Sequence, residues 1–154
     1  MTLDTSAFLA VLLASTGLTR AAAAEMLGVD TRTVRRWLAG SRQTPKVAVE
    51  RLRTWAYCLD ETAQGIIMGM GVPAVLLLYR WDRDVPPWTG LRTAACHLAL
   101  VRRVFERRPD IQLITFNRPA YRWWLGARTD SEEMRAAWAT SRVEPAPPLE
   151  GGTH

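Results

Sequence analysis

The sequence predicts an α+β protein, with an all-α bundle at the N-terminus and a small α/β domain of order strand-helix-strand-helix-helix behind it. Apolar residues recur at helical spacing from Phe8 to Leu59, and two short branched and aromatic runs, Ala74 to Trp81 and Ile111 to Phe116, flank a third helical pattern. Between Gln64 and Pro73, three glycines and a proline interrupt any regular pattern, which marks a boundary. The expected division is therefore 1–63, a hinge at 64–73, a C-terminal domain at 74–141 and a disordered tail at 142–154. At 154 residues and 48% hydrophobic content, the chain can fill one ordinary core or two small ones.

Asp4 or Thr5 can cap a first helix, built on Phe8, Leu9, Val11, Leu12 and Leu13 and stopped by Gly17. Thr19 can cap a second, Arg20 to Leu27, whose alanines leave room for a close neighbour. Gly28 ends it, and Asp30 can cap a third, Thr31 to Leu38, closed by Gly40. Pro45 suits the first turn of a fourth helix with Val47, Val49, Leu52, Trp55, Ala56 and Leu59 along one stripe. Past the hinge, the strand Ala74 to Trp81 leads to a helix from Leu91 to Arg107 and the strand Ile111 to Phe116. Pro119 opens a helix to Leu125, and Asp130 or Ser131 caps a last one carrying Met134, Ala137 and Trp138.

The composition narrows the function classes. The net charge of +5 and pI near 10.0 suit a polyanionic partner. The longest apolar stretch, Gly65 to Tyr79, is broken by glycine and proline and is shorter than the roughly 20 residues a bilayer span needs. No basic cluster precedes the apolar residues near Asp4, so a signal peptide is not expected and a cytoplasmic location is. Cys58 and Cys96 lack metal-ligand or redox spacing, His97 has no catalytic partners, and the pairs Asp82/Asp84 and Glu132/Glu133 have no metal-binding neighbours. No enzyme, cofactor, metal or membrane partner is expected.

The informative stretch is Arg20 to Leu38, where small, turn and apolar residues fall as two short helices joined by a tight turn require. Ala24 is small at the crossing, Gly28 opens the turn, Val29 packs beneath it, and Val34 and Trp37 anchor the third helix. Helical geometry then turns Thr31, Arg32, Arg35 and Arg36 outward. An arginine fork can bond both acceptors on a guanine edge, so Arg32 and Arg36, with Thr31 beside them, are the expected base readers. Arg20, Thr33, Arg35, Arg42 and Lys46 are expected to hold the DNA backbone. An ordinary solvated basic helix face is the bland alternative.

Ala24, Gly28, Val29, Val34, Trp37 and Gly40 match the pattern of the lambda-repressor-like, Xre-type helix-turn-helix domains, which the chain resembles over about residues 5 to 60. The second half, through Leu78-Tyr79-Arg80-Trp81-Asp82, Leu113-Ile114-Thr115-Phe116-Asn117 and Tyr121-Arg122-Trp123-Trp124-Leu125, is similar to the C-terminal region of YdiL-like proteins, and through them to anti-CRISPR-associated autorepressors. The resemblance implies a homodimer held by the C-terminal domain, presenting two recognition helices to an inverted-repeat operator and repressing its own operon. Some members of that autorepressor class are thought to bind their own messenger RNA, which the arginines here neither support nor exclude.

Tyr121, Trp123, Trp124 and Trp138 could be stacking platforms for single-stranded RNA, but tryptophans at helical spacing are more often core or subunit interface, and dimerisation is the expected role. Arg102, Arg103, Arg107 and Arg108 read as solvated residues offsetting a helix dipole rather than a second nucleic-acid surface. The leading reading is a DNA-binding repressor acting on a palindromic duplex. An RNA-binding regulator using the same arginines and a ligand sensor or enzyme in the C-terminal half stay open as alternatives.

Overall fold

A computed structural model of the chain describes residues 4–143. Four helices come first: α1 (Thr5–Thr16), α2 (Arg20–Leu27), α3 (Thr31–Leu38) and α4 (Lys46–Gly69). Then follow β1 (Val75–Leu78), two short 3-10 turns at Asp82–Asp84 and Pro87–Thr89, α5 (Ala94–Arg107), β2 (Gln112–Thr115), α6 (Arg118–Leu125) and α7 (Glu132–Ser141). The architecture is α+β, as the periodicities predict. The two strands run parallel, in register from Val75 opposite Gln112 to Leu78 opposite Thr115, with α5 as the crossover that a parallel pair requires. No single helix among the described residues is long and apolar enough to cross a membrane.

Apolar side chains collect in two cores. Leu9, Leu12, Ala24, Val34, Trp37, Ala48 and Leu52 form the first, under α1 to α4. Leu59, Ala63, Leu77, Tyr79, Leu100, Val104, Phe116, Tyr121 and Trp138 form the second, and Leu18 packs against both. α4 contributes to each core, and this corrects the hinge expected at 64–73. The helix runs unbroken through Gly65 to Gly69. Ala63 is fully buried and Ile66 and Ile67 pack on the second core, which outweighs a glycine's helix penalty of about 1 kcal/mol. The break falls later, at Met70, whose backbone is extended, and at the cis Val72–Pro73 bond.

Caps account for the other shifted boundaries. Thr93 accepts from the Cys96 amide at 3.1 Å, so α5 opens at Ala94 rather than Leu91. Asn117 accepts from the Ala120 amide at 3.1 Å, so α6 opens at Arg118 and takes Pro119 into its first turn. Ser131 caps α7, because the Asp130 carboxylate is engaged by Arg135 and Tyr121. β1 is shorter than the run Ala74 to Trp81, since only four residues of β2 lie opposite it. Apart from residues 142 and 143, the tail lies outside the described residues.

Two contacts bind α1 to α5. Gly17 ends α1 with φ +68°, and an added Cβ there would lie 2.2 Å from the Ala95 carbonyl oxygen, so the backbones touch. The Arg103 side chain is only 13% exposed. It donates to Asp60 Oδ1 at 2.8 Å, to the Ser15 carbonyl at 2.7 Å and to Ser15 Oγ at 2.9 Å, joining α5 to α4 and α1.

Candidate nucleic-acid interface

α2 and α3 meet through the turn Gly28-Val29-Asp30. Gly28 takes φ +67°, and the Val29 amide donates back to the Ala24 carbonyl at 3.0 Å, satisfying the end of α2. Asp30 caps α3 by accepting from the Thr33 amide at 2.7 Å and the Thr33 hydroxyl at 2.6 Å. These bonds, with Arg32 and Arg36 nearby, hold its carboxyl below the usual carboxylate range. Val34 (0% exposed) and Trp37 (3%) pin the opposite face of α3 into the first core.

With that face fixed, the helix repeat of about 3.6 residues carries Arg32, Arg35 and Arg36 to the far side. All three are exposed, and none of their guanidinium groups makes a hydrogen bond or ion pair with another described residue. Arg32 and Arg36 stand one turn apart on a two-turn rod whose other side is seated in the core. Thr31, half-buried, opens the same helix. Arg20 is exposed at the start of α2, and Arg42 follows α3 on a turn where its amide and that of Ser41 both donate to the Arg36 carbonyl, at 3.3 and 3.1 Å. Lys46 is 90% exposed, with a loose 3.9 Å pairing to Glu50. These exposed basic groups all lie on α2, α3, the turn after α3 and the first residue of α4.

Thr33 does not fit the phosphate role expected of it. Its hydroxyl proton goes to Asp30, leaving none for a phosphate oxygen.

The expected dimerisation residues separate. Tyr121 and Trp138, each 2% exposed, lie in the chain's own core and offer no surface to a partner, which corrects that assignment. Their rings pack edge-on at 5.9 Å. The Tyr121 hydroxyl donates to Asp130, and burial together with that bond pushes its pKa up to about 12. Trp124 is half-buried, with the Arg128 guanidinium 4.2 Å above its ring, whereas Trp123 is 88% exposed. The C-terminal arginine cluster of α5 is less solvated than expected. Arg103 is the inter-helix tie described above, Arg107 reaches Asp60 at 3.8 Å, and Arg108 pairs with Asp110 at 2.8 Å.

One polar centre has no signal in the sequence. Arg135, 7% exposed, sits 4.5 Å from the Phe116 ring centroid and donates to Asp130 at 2.9 Å and to the Asp84 carbonyl at 2.7 Å. Arg118 closes the same cluster on the buried Asp84 carboxylate at 2.6 Å. Its members are scattered from residue 79 to residue 135, so no local spacing announces it. His97 is also buried, edge-on to Tyr79 at 4.7 Å, and burial lowers its pKa to about 4. No group of three or more potential metal ligands occurs among the described residues.

Residues 7–44 match the family model of a homeodomain-like domain, spanning α1 to α3 and the turn after them. No curated protein matches the chain. The matched segment covers well under half of the sequence and contains Arg20, Arg32, Arg35, Arg36 and Arg42 but not Lys46. The chain thus carries an N-terminal helix-turn-helix domain of the DNA-binding kind.

Proposed function

We propose that this chain is a sequence-specific transcriptional repressor that places α3 in the major groove and binds an inverted-repeat operator as a homodimer. The observation that carries the reading is the arginine face of α3: Arg32 and Arg36 are exposed and unpaired within the described chain, on a rod anchored by Val34 and Trp37. Arg32, Arg36 and Thr31 read base edges; Arg20, Arg35, Arg42 and Lys46 neutralise phosphates. A single two-turn helix contacts few base pairs, and two heads about one DNA turn apart multiply the discrimination. The resemblance to autorepressors extends the reading to control of the chain's own promoter.

Selection of bound duplexes from a random pool, at a stated salt concentration, tests the reading. An enriched palindrome with fixed half-site spacing is expected, and Arg36→Ala should weaken binding to it by roughly 1–3 kcal/mol while relaxing one base position. An equal loss on specific and random duplex would make Arg36 a phosphate contact. A structured transcript that out-competes the selected duplex would overturn the DNA reading.

A further inference from the structure

Beside the continuous α4, the helix-turn-helix meets the second core where α1 faces α5. The contacts at this junction differ in what they resist. Gly17 touches the Ala95 backbone, and Leu18 packs against both cores. Close van der Waals contact opposes compression steeply and parting only weakly, since each atom pair gains little. Arg92, just ahead of α5, reaches Glu25 of α2 at 2.8 Å, but both side chains are exposed, and such pairs contribute little.

Arg103 is of another kind. Its guanidinium reaches from α5 to Asp60 on α4 and to both the carbonyl and the hydroxyl of Ser15, the penultimate residue of α1. A further bond, at 3.0 Å, goes to the Ala99 carbonyl of its own helix. The planar fork fixes direction as well as distance, so these bonds cannot all survive if α1 turns against α5. Around them the packing is open, with a groove between Val11 and Ala14 of α1 and Ala99, Arg102 and Glu106 of α5. α1 in turn packs on α3, the helix that carries Arg32 and Arg36.

We propose that Arg103 is a positioning residue for DNA recognition: it fixes the angle at which α5 holds α1, and through α1 the direction of α3. On the homodimer of the reading above, that angle sets which half-site spacing the two heads accept. A mis-spaced operator could then be gripped only by parting the Arg103 bonds.

The test is the affinity of the full chain for the selected operator and for versions with one base pair added or removed at its centre. Arg103→Met removes the donors and leaves Asp60 to Arg107. Arg103→Lys keeps the charge, and so the general attraction of a cation for DNA, but has no fork to hold Asp60 and Ser15 together. Both variants should keep the affinity for an isolated half-site within about twofold and lower the preference for the native spacing about tenfold, the effect of one charge-assisted hydrogen bond. Should Arg103→Met fail to fold, Arg103→Lys carries the test. A second arm needs neither DNA nor a dimer. Spin labels at Ala7→Cys in α1 and Trp123→Cys in α6, on a Cys58→Ser background diluted with unlabelled chain, report the distance between the cores. One narrow distribution is expected, broadened by Arg103→Lys. Unchanged label distances overturn the proposal, as does an unchanged spacing preference or an equal loss on every duplex, which would mark Arg103 as a stabilising residue only. A wild type that selects a single half-site, or accepts all spacings alike, defeats the homodimer reading and with it the role in spacing, while broadened label distances would still support the clasp.

Discussion

Gly17→Ala is expected to destabilise the protein by about 3 kcal/mol, and the figure divides into two parts. A residue with a side chain at φ +68° bears a left-handed penalty of roughly 1–2 kcal/mol. The new Cβ would also lie 2.2 Å from the Ala95 oxygen, 2.6 Å from its carbonyl carbon and 2.9 Å from the Cys96 nitrogen, all backbone atoms. Relief means parting α1 from α5 by about 1 Å, an overpacking cost of roughly 1–3 kcal/mol. For a chain of this size, the sum lowers the melting temperature by about 6–12 °C. Gly28→Ala is the internal control, because Gly28 has nearly the same φ, +67°, with nothing within 4 Å of its Cβ position. It should cost only the conformational part, roughly 1–2 kcal/mol. Urea unfolding followed by circular dichroism measures both variants, and equal losses would refute the argument from close approach.

Three further outcomes follow from the packing. Gly65→Ala should raise stability by about 0.5–1 kcal/mol in the same assay, since Gly65 is helical and exposed with open space around its Cβ position; a loss would restore the hinge. Arg135→Met should cost about 1–3 kcal/mol, because it leaves the Asp84 carbonyl without its donor and removes a partner of the partly exposed Asp130 carboxylate, and adding Asp130→Asn should recover part of that. His97 makes stability depend on pH. Its folded pKa near 4 lies below the unfolded value near 6.5, so the unfolded chain binds the proton first as pH falls. Stability is therefore complete above about pH 6.5 and declines by roughly 3 kcal/mol toward pH 4, a slope that His97→Gln should flatten.

Local chemistry made most of the fold legible. Caps, glycine stops and apolar periodicity gave α2 and α3 to the residue and α1 to within one, and the outward arginines of α3 followed from the inward Val34 and Trp37. Two of the errors share one cause. Gly65 looked like a hinge, and Tyr121 and Trp138 looked like interface, because their surroundings are assembled from residues far away in the chain. Thr33 was misjudged at shorter range, since a hydroxyl three residues after a capping Asp can serve that Asp instead of a ligand. Arg103 depends on partners 43 and 88 residues distant and Arg135 on two that are 51 and 56 distant, and no window along the sequence exposes such ties.

The rod formed by α4 reaches into both cores, with Ala48 and Leu52 in one and Leu59 and Ala63 in the other. The helix-turn-helix is thus joined to the second core by a continuous helix rather than by a flexible tether. In the homodimer proposed above, the molecule would become a caliper of fixed span, and the gap between half-sites would be a property of the protein rather than of the DNA. Inserting about five base pairs, half a turn, at the operator centre would swing one half-site to the far side of the duplex and abolish joint binding, while a full turn would restore the facing but overreach the span. One residue added to α4 would rotate the head by about 100°, so the caliper can be retuned only in coarse steps.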